Sequence, residues 1–195
     1  MANITAKDVA ALRAQTGLGM MDCKKALVEA EGNVEKAVKI LREKGLATAE
    51  KKAGRIAAEG RVDILSKDGV TAMVEVNAET DFAAKSDAFK AFVTGVLETI
   101  VANKPADIAA LMALPFAGST NTVQETLVEQ IAVIKENITV RRFVIVEGVT
   151  STYIHGFGGT GVIVKFCTDV ADKDGFAEYA KNVALQIAAG NPPST

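Results

Sequence analysis

The chain has 195 residues, 49% of them hydrophobic and 24% charged, with no tryptophan; this suffices for one large domain or a small one beside a larger, and shows no bias toward disorder. A net charge of -2 gives no chain-wide basic field for nucleic acid, and Cys23 and Cys167 stand far apart outside any CxxC pattern, which argues against a disulfide framework or a zinc site. The start "MANITAKDVA" lacks a signal-peptide layout and no apolar run approaches the roughly 18 to 20 residues of a membrane span, so the expectation is a cytoplasmic protein that meets another protein, with no membrane and no direct nucleic-acid contact.

Three short helices are predicted over residues 1–45. Thr5 and Asp8 form a capping pattern before an apolar face of Ile4, Val9, Ala11 and Leu12. Gly17 and Gly19 break the chain, a second helix restarts near Met21 and Asp22 and ends at Gly32, and Asn33 caps a third that Gly45 is placed to stop. The expected core is Val9, Leu12, Ala26, Leu27, Val34, Val38 and Leu41. Leu18, Met20 and Met21 cannot all point inward from one tight turn, so at least one is exposed; methionines there either fill the small core or offer an adaptable protein contact. Residues 46–60, rich in Ala, Lys and Glu, read as a solvated linker with helical tendency.

Beyond Gly60 the pattern is strand, turn, strand, helix, and it recurs. "RVDILS", "VTAMVEVN" and the helix "SDAFKAFVTGVLETIVANKP" are matched by "RRFVIVEG", "TSTYIHG", "GVIVKFCT" and "KDGFAEYAKNVALQIAAGNP". Phe89, Phe92, Val96 and Ile100 form one apolar stripe; Phe176, Tyr179, Val183 and Ile187 repeat it at identical spacing, and Pro105 and Pro192 close the two segments. The expected class is therefore α+β: a helical unit, a linker, a first core subdomain with a connecting helix over residues 61–138, and a related second subdomain over 139–195, each with a helix covering an antiparallel sheet. The connecting helix should bury Leu127, Ile131 and Ile134, and the segment around Pro115 to Asn121 reads as a loose loop.

Aligned on their strands, the first copy carries extra chain within "NAETDFAAKSD". Ser86 can cap the following helix, leaving Thr80, Asp81 and Phe82 on a loop held by rigid elements, a common place for recognition. Either Phe82 folds back onto the sheet, or it is presented to a partner.

Candidate chemistry is sparse. "HGFGGTG" runs from strand to strand, whereas phosphate loops run from strand into helix. His155 has no nucleophile or carboxylate partner nearby in sequence, and Asp169, Asp172 and Asp174 lack the glycine and terminal Glu of a calcium loop. Arg141 and Arg142, if in a strand, point to opposite faces and serve as structural or rim charges. No covalent catalysis, cofactor or metal is expected.

Together the motifs resemble the bacterial elongation factor Ts family: "LRAQTGLGMMDCKKAL" is similar to its amino-terminal signature, "VEVNAETDFAAKSDAF" to its Thr-Asp-Phe segment, and "KENITVRRF" with "STYIHG" to the start of its second core subdomain. The resemblance implies a ubiquitin-associated-like fold for the first three helices and guanine nucleotide exchange on elongation factor Tu, in its GDP-bound and nucleotide-free forms. It implies that Leu12, Met20 and Met21 dock on the nucleotide-binding domain, that Asp81 and Phe82 with Thr80 and Ala83 press between helices there and disturb the magnesium and phosphate site, and that His155 touches another domain of that partner. The family usually continues past the point where this chain ends, so a short form or a fragment, with an incomplete second subdomain, is expected. The family's hairpin often reads Gly-Gly-Arg-Ile where Phe157, Gly158, Gly159 and Thr160 stand. The alternative reading is a helical module that binds a peptide or protein through the methionine turn without exchange activity; the oligomeric state, a homo-oligomer included, is left open.

Overall fold

The computed structural model describes residues 4–190; the expected helix stop at Pro192 lies outside the described residues. Mixed helix and antiparallel sheet make the chain α+β, with eight α-helices and five strands among the described residues.

α1 (Ala6–Thr16) starts from Thr5, whose side chain accepts from the Asp8 amide while Asp8 answers the Thr5 amide, and Gly17 ends it at φ +69°. α2 (Met20–Glu29) and α3 (Val34–Lys52) follow, the latter capped by Asn33. Their shared core is Val9, Leu12, Leu18, Cys23, Ala26, Leu27, Ala37 and Leu41, with Val38 at its margin. Val34, expected inside, is exposed.

Gly45 does not stop α3, which runs two further turns into the segment expected as a linker. It lies instead where α3 packs on another helix: a Cβ on Gly45 would lie 3.5 Å from Ala132 and 3.7 Å from Val128 of α7 (Val123–Ile134), room for a methyl group but not for a large side chain. Ala132 thereby joins the core of the first three helices, while Val123, Leu127 and Ile131 of the same helix join the larger core.

That larger core lies under a three-stranded antiparallel sheet of order β1-β2-β3, formed by β1 (Glu59–Lys67), β2 (Val70–Ala78) and β3 (Ile138–Glu147). Alternate residues Val70, Ala72, Val74, Val76 and Ala78 face α5 (Asp87–Asn103), where Phe89, Phe92, Val96 and Ile100 form the predicted stripe. β3 therefore corrects the expected division of strands: instead of opening the second sheet, it completes the first, pairing with the full length of β2. The second sheet is the two-stranded hairpin of β4 (Val149–His155) and β5 (Thr160–Phe166), with α8 (Phe176–Gly190) packed on it. Here the repeat weakens, because α8 buries Ala180 and Ala184 and leaves Tyr179 exposed.

Two further expectations change. The segment between α6 (Ile108–Ala113) and α7 is not loose: Phe116 stacks on Phe92 at 5.8 Å with nearly parallel rings, and Pro115 bridges to Thr122. Arg141 and Arg142 do not diverge, since a bulge opposite the Glu75–Val76 step leaves Arg141 unpaired and both guanidinium groups reach Glu75, at 3.2 and 2.6 Å.

Candidate functional site

β2 ends at Ala78, and the next two residues bend the chain into α4 (Asp81–Lys85), a single helical turn where a loop was expected. The sequence builds this turn from both ends. Thr80 is the N-cap, its hydroxyl accepting from the Ala83 amide at 3.2 Å, and Ser86 closes the far end by donating to the Ala83 carbonyl at 2.7 Å. Ala83 and Ala84 are buried and seat the turn on the core, so Ala83 is an anchor and not a contact side chain. Phe82 points the other way and is 82% exposed. It does not fold back onto the sheet. Beside it, the Asp81 carboxylate takes the Lys85 ammonium at 2.7 Å, which holds its pKa below the ordinary carboxylate value.

The bend is held by a second turn, residues 135–137, between α7 and β3. Glu136 accepts from the Thr80 amide at 2.9 Å and from its hydroxyl at 2.7 Å. Reciprocally, Glu79 accepts from the Asn137 amide at 2.6 Å, and this bond depresses the Glu79 pKa ahead of the contribution from Arg55. Asn137 is buried and its side chain donates to the Arg55 carbonyl at 2.7 Å, tying in the stretch after α3. Lys135 reaches Asp22 in the first turn of α2 at 3.4 Å. The turn thus connects the Phe82 helix with the start of the helix that carries the methionines.

At that start, Leu18 turns inward and Met20 and Met21 turn outward, 41% and 62% exposed. Leu12, grouped with them from the resemblance, is 1% exposed in the helical core. Its side chain supports that surface from beneath and is not part of it.

His155 ends β4, exposed, with its Nδ1 3.0 Å from the Tyr153 hydroxyl. The glycine loop after it is a tight 3-10 turn, Gly156–Gly158, between two strands. Phe157 at its tip is 92% exposed with φ +57°, a conformation costly for an aromatic residue. Reading the sequence missed this side chain as a surface feature; the signal was a lone aromatic residue between glycines in a hairpin, where nothing is near enough to bury it.

A family model described as "Elongation factor TS" matches residues 79–195. The chain belongs to this family. Proteins named Elongation factor Ts from Syntrophotalea carbinolica, Clostridioides difficile and Trichlorobacter lovleyi are 53%, 51% and 48% identical over 97 to 98% of the chain. The chain spans 63 to 64% of those relatives' length. The elongation factor Ts family is one of translation factors, and its matched region opens at Glu79, at the bend that carries Thr80, Asp81 and Phe82. No described helix is long and apolar enough to cross a membrane, and no described group of three or more His, Cys, Asp or Glu is arranged to hold a metal ion.

Proposed function

We propose that this chain is a guanine nucleotide exchange factor that binds elongation factor Tu and promotes GDP release, with Phe82 as the side chain that enters the partner. The observation that carries this reading is the large ring held almost wholly in solvent on a turn whose backbone is capped at both ends. A fixed backbone beneath an exposed aromatic side chain leaves only the ring's own rotamers to be ordered on docking.

Exchange requires that the factor favour the nucleotide-poor state of the GTPase, since coupling between two ligands is reciprocal. A thousandfold loosening of GDP needs about 4 kcal/mol. Burying one phenylalanine supplies about 1.5–3 kcal/mol. Other contacts must contribute, and Met20 and Met21 on the helical unit of residues 1–45, with His155 on the hairpin, are the proposed anchors. In this reading the helical unit is ubiquitin-associated-like, and Asp81 gives up Lys85 to act at the partner's magnesium and phosphate site.

The test is release of labelled GDP from elongation factor Tu. Phe82→Ala should slow stimulated release at least tenfold while the melting temperature stays within about 2 °C of the parent, as for a surface substitution. Unchanged release by this variant would refute the reading.

The exposed methionine pair also favours a second reading, in which the helical unit captures a partner helix or peptide without exchange. Replacing Met20 and Met21 with serine in the full chain distinguishes the two. Under the first reading the replacement weakens binding of elongation factor Tu but leaves release measurable at saturating factor; under the second no GDP release is stimulated by either protein.

A further inference from the structure

The geometry points to Glu136 as the positioning residue for Phe82, a role that rests on the exchange reading above. Phe82 is too exposed to be held by its own packing, so its place is set by the α4 backbone alone. That backbone has one turn, too short to be stable by itself. Its buried alanines fix its depth. What fixes its rotation about the end of β2 is the N-cap, and Glu136 holds both hydrogen-bond donors of that residue: one carboxylate oxygen takes the Thr80 amide, the other its hydroxyl proton.

The hydroxyl is also a relay. Because it donates to Glu136, its lone pairs are turned toward the Ala83 amide, from which it accepts. Glu136 therefore orients the cap as well as anchoring it. The Glu79–Asn137 bond closes the same clasp from the other side, with each turn's carboxylate bound to the other turn's backbone N–H. Since Lys135 is the neighbouring residue and meets Asp22, the clasp sets Phe82 in register with the methionine-bearing helix. The Lys135 pair is exposed and long, so the link onward to the helical unit rests chiefly on Ala132 of α7, which is buried in that unit's core, while Glu136 and Glu79 fix α4 to the end of α7.

The experiment measures labelled GDP release from elongation factor Tu with the full chain carrying Glu136→Ala, Glu136→Gln, Phe82→Ala, and Glu136→Ala combined with Phe82→Ala, with melting temperatures alongside. Loss of two bonds to a charged acceptor should slow the maximal release rate by about tenfold or more. Gln keeps an acceptor for the Thr80 amide but turns its NH2 toward the hydroxyl, so it retains one of the two bonds and should slow release by about threefold, less than Ala does. A residue that acts by aiming α4 has less to position once the ring is gone, only Asp81 of the same turn, so Glu136→Ala should slow release by a smaller factor in the Phe82→Ala background than in the parent. If Phe82→Ala does not slow release, the exchange reading and this inference fail together. With Phe82→Ala slow, the inference alone is overturned by any of three results: Glu136→Ala at the parental rate, Glu136→Ala slowing release by the same factor with and without Phe82, or Gln as damaging as Ala. Should the alanine variant be largely unfolded at the assay temperature, the Gln variant and a Thr80→Val variant, which keeps the amide bond but loses the relay, carry the same comparison.

Discussion

Phe116 shows how one residue can organise a segment that looks unstructured in sequence. Its ring lies over the α5 backbone where Gly95 leaves room; a Cβ there would come within 2.1 Å of the ring. Gly95→Ala should therefore force Phe116 off Phe92 and cost about 1–3 kcal/mol despite the better helix propensity of alanine. Thermal unfolding measures this, and Phe116→Leu added to Gly95→Ala should recover part of the loss. Gly45 behaves oppositely, because the added Cβ meets Ala132 and Val128 at ordinary contact distance. Gly45→Ala should raise stability, by up to about 1 kcal/mol, whereas Gly45→Leu should push α3 off α7 and lower it. A fall in melting temperature with alanine would contradict that packing. Both glycines were visible in the sequence, but their neighbours are distant in the chain, so a stop signal was the only meaning available for Gly45.

At the scale of elements, the clasp between residues 79–80 and 136–137 makes α4 sensitive to acid. The Glu79 pKa is lowered by the Asn137 amide and that of Asp81 by Lys85. Both carboxylates thus contribute stability above their unfolded values, near 4.3 and 3.9, and lose it as pH falls through the lower folded values. Unfolding free energy should therefore decline below about pH 5, and Glu79→Gln should flatten part of that slope; an unchanged slope would show that the bond is not kept in solution. The legible elements were those with a strong local signature. β1, β2, α5 and the caps Thr5, Asn33 and Ser86 were fixed by alternation, a four-residue stripe or a side chain able to cap. α4 was not legible, since one turn has no periodicity to read and its stability comes from Glu136, 56 residues away. The partner of β3 was not legible either: its pattern says strand, but alternation carries no address, and its sequence likeness to the first unit suggested the wrong neighbour.

For the whole molecule, the two apolar cores meet at α7, which supplies Leu127 and Ile131 to one and Ala132 to the other. The two thiols report on this arrangement, since Cys23 is buried in the helical core and Cys167 is exposed. In the folded protein a thiol reagent should modify Cys167 promptly and Cys23 only when the helical unit opens. Gly45→Leu should speed Cys23 modification without altering that of Cys167, and equal acceleration at both would mean that the molecule opens only as one piece.

α7 also acts as a ruler. Its length determines where residues 135–137 emerge relative to Thr80, and a single residue inserted within it would swing that turn by about 100° around the helix axis. Glu136 would then face away from the Thr80 amide even if every apolar contact upstream survived. Natural changes in length between α5 and β3 should accordingly be tolerated in the segment around Gly118 and excluded from the twelve residues of α7, because only the former leaves the aim of the exposed ring untouched.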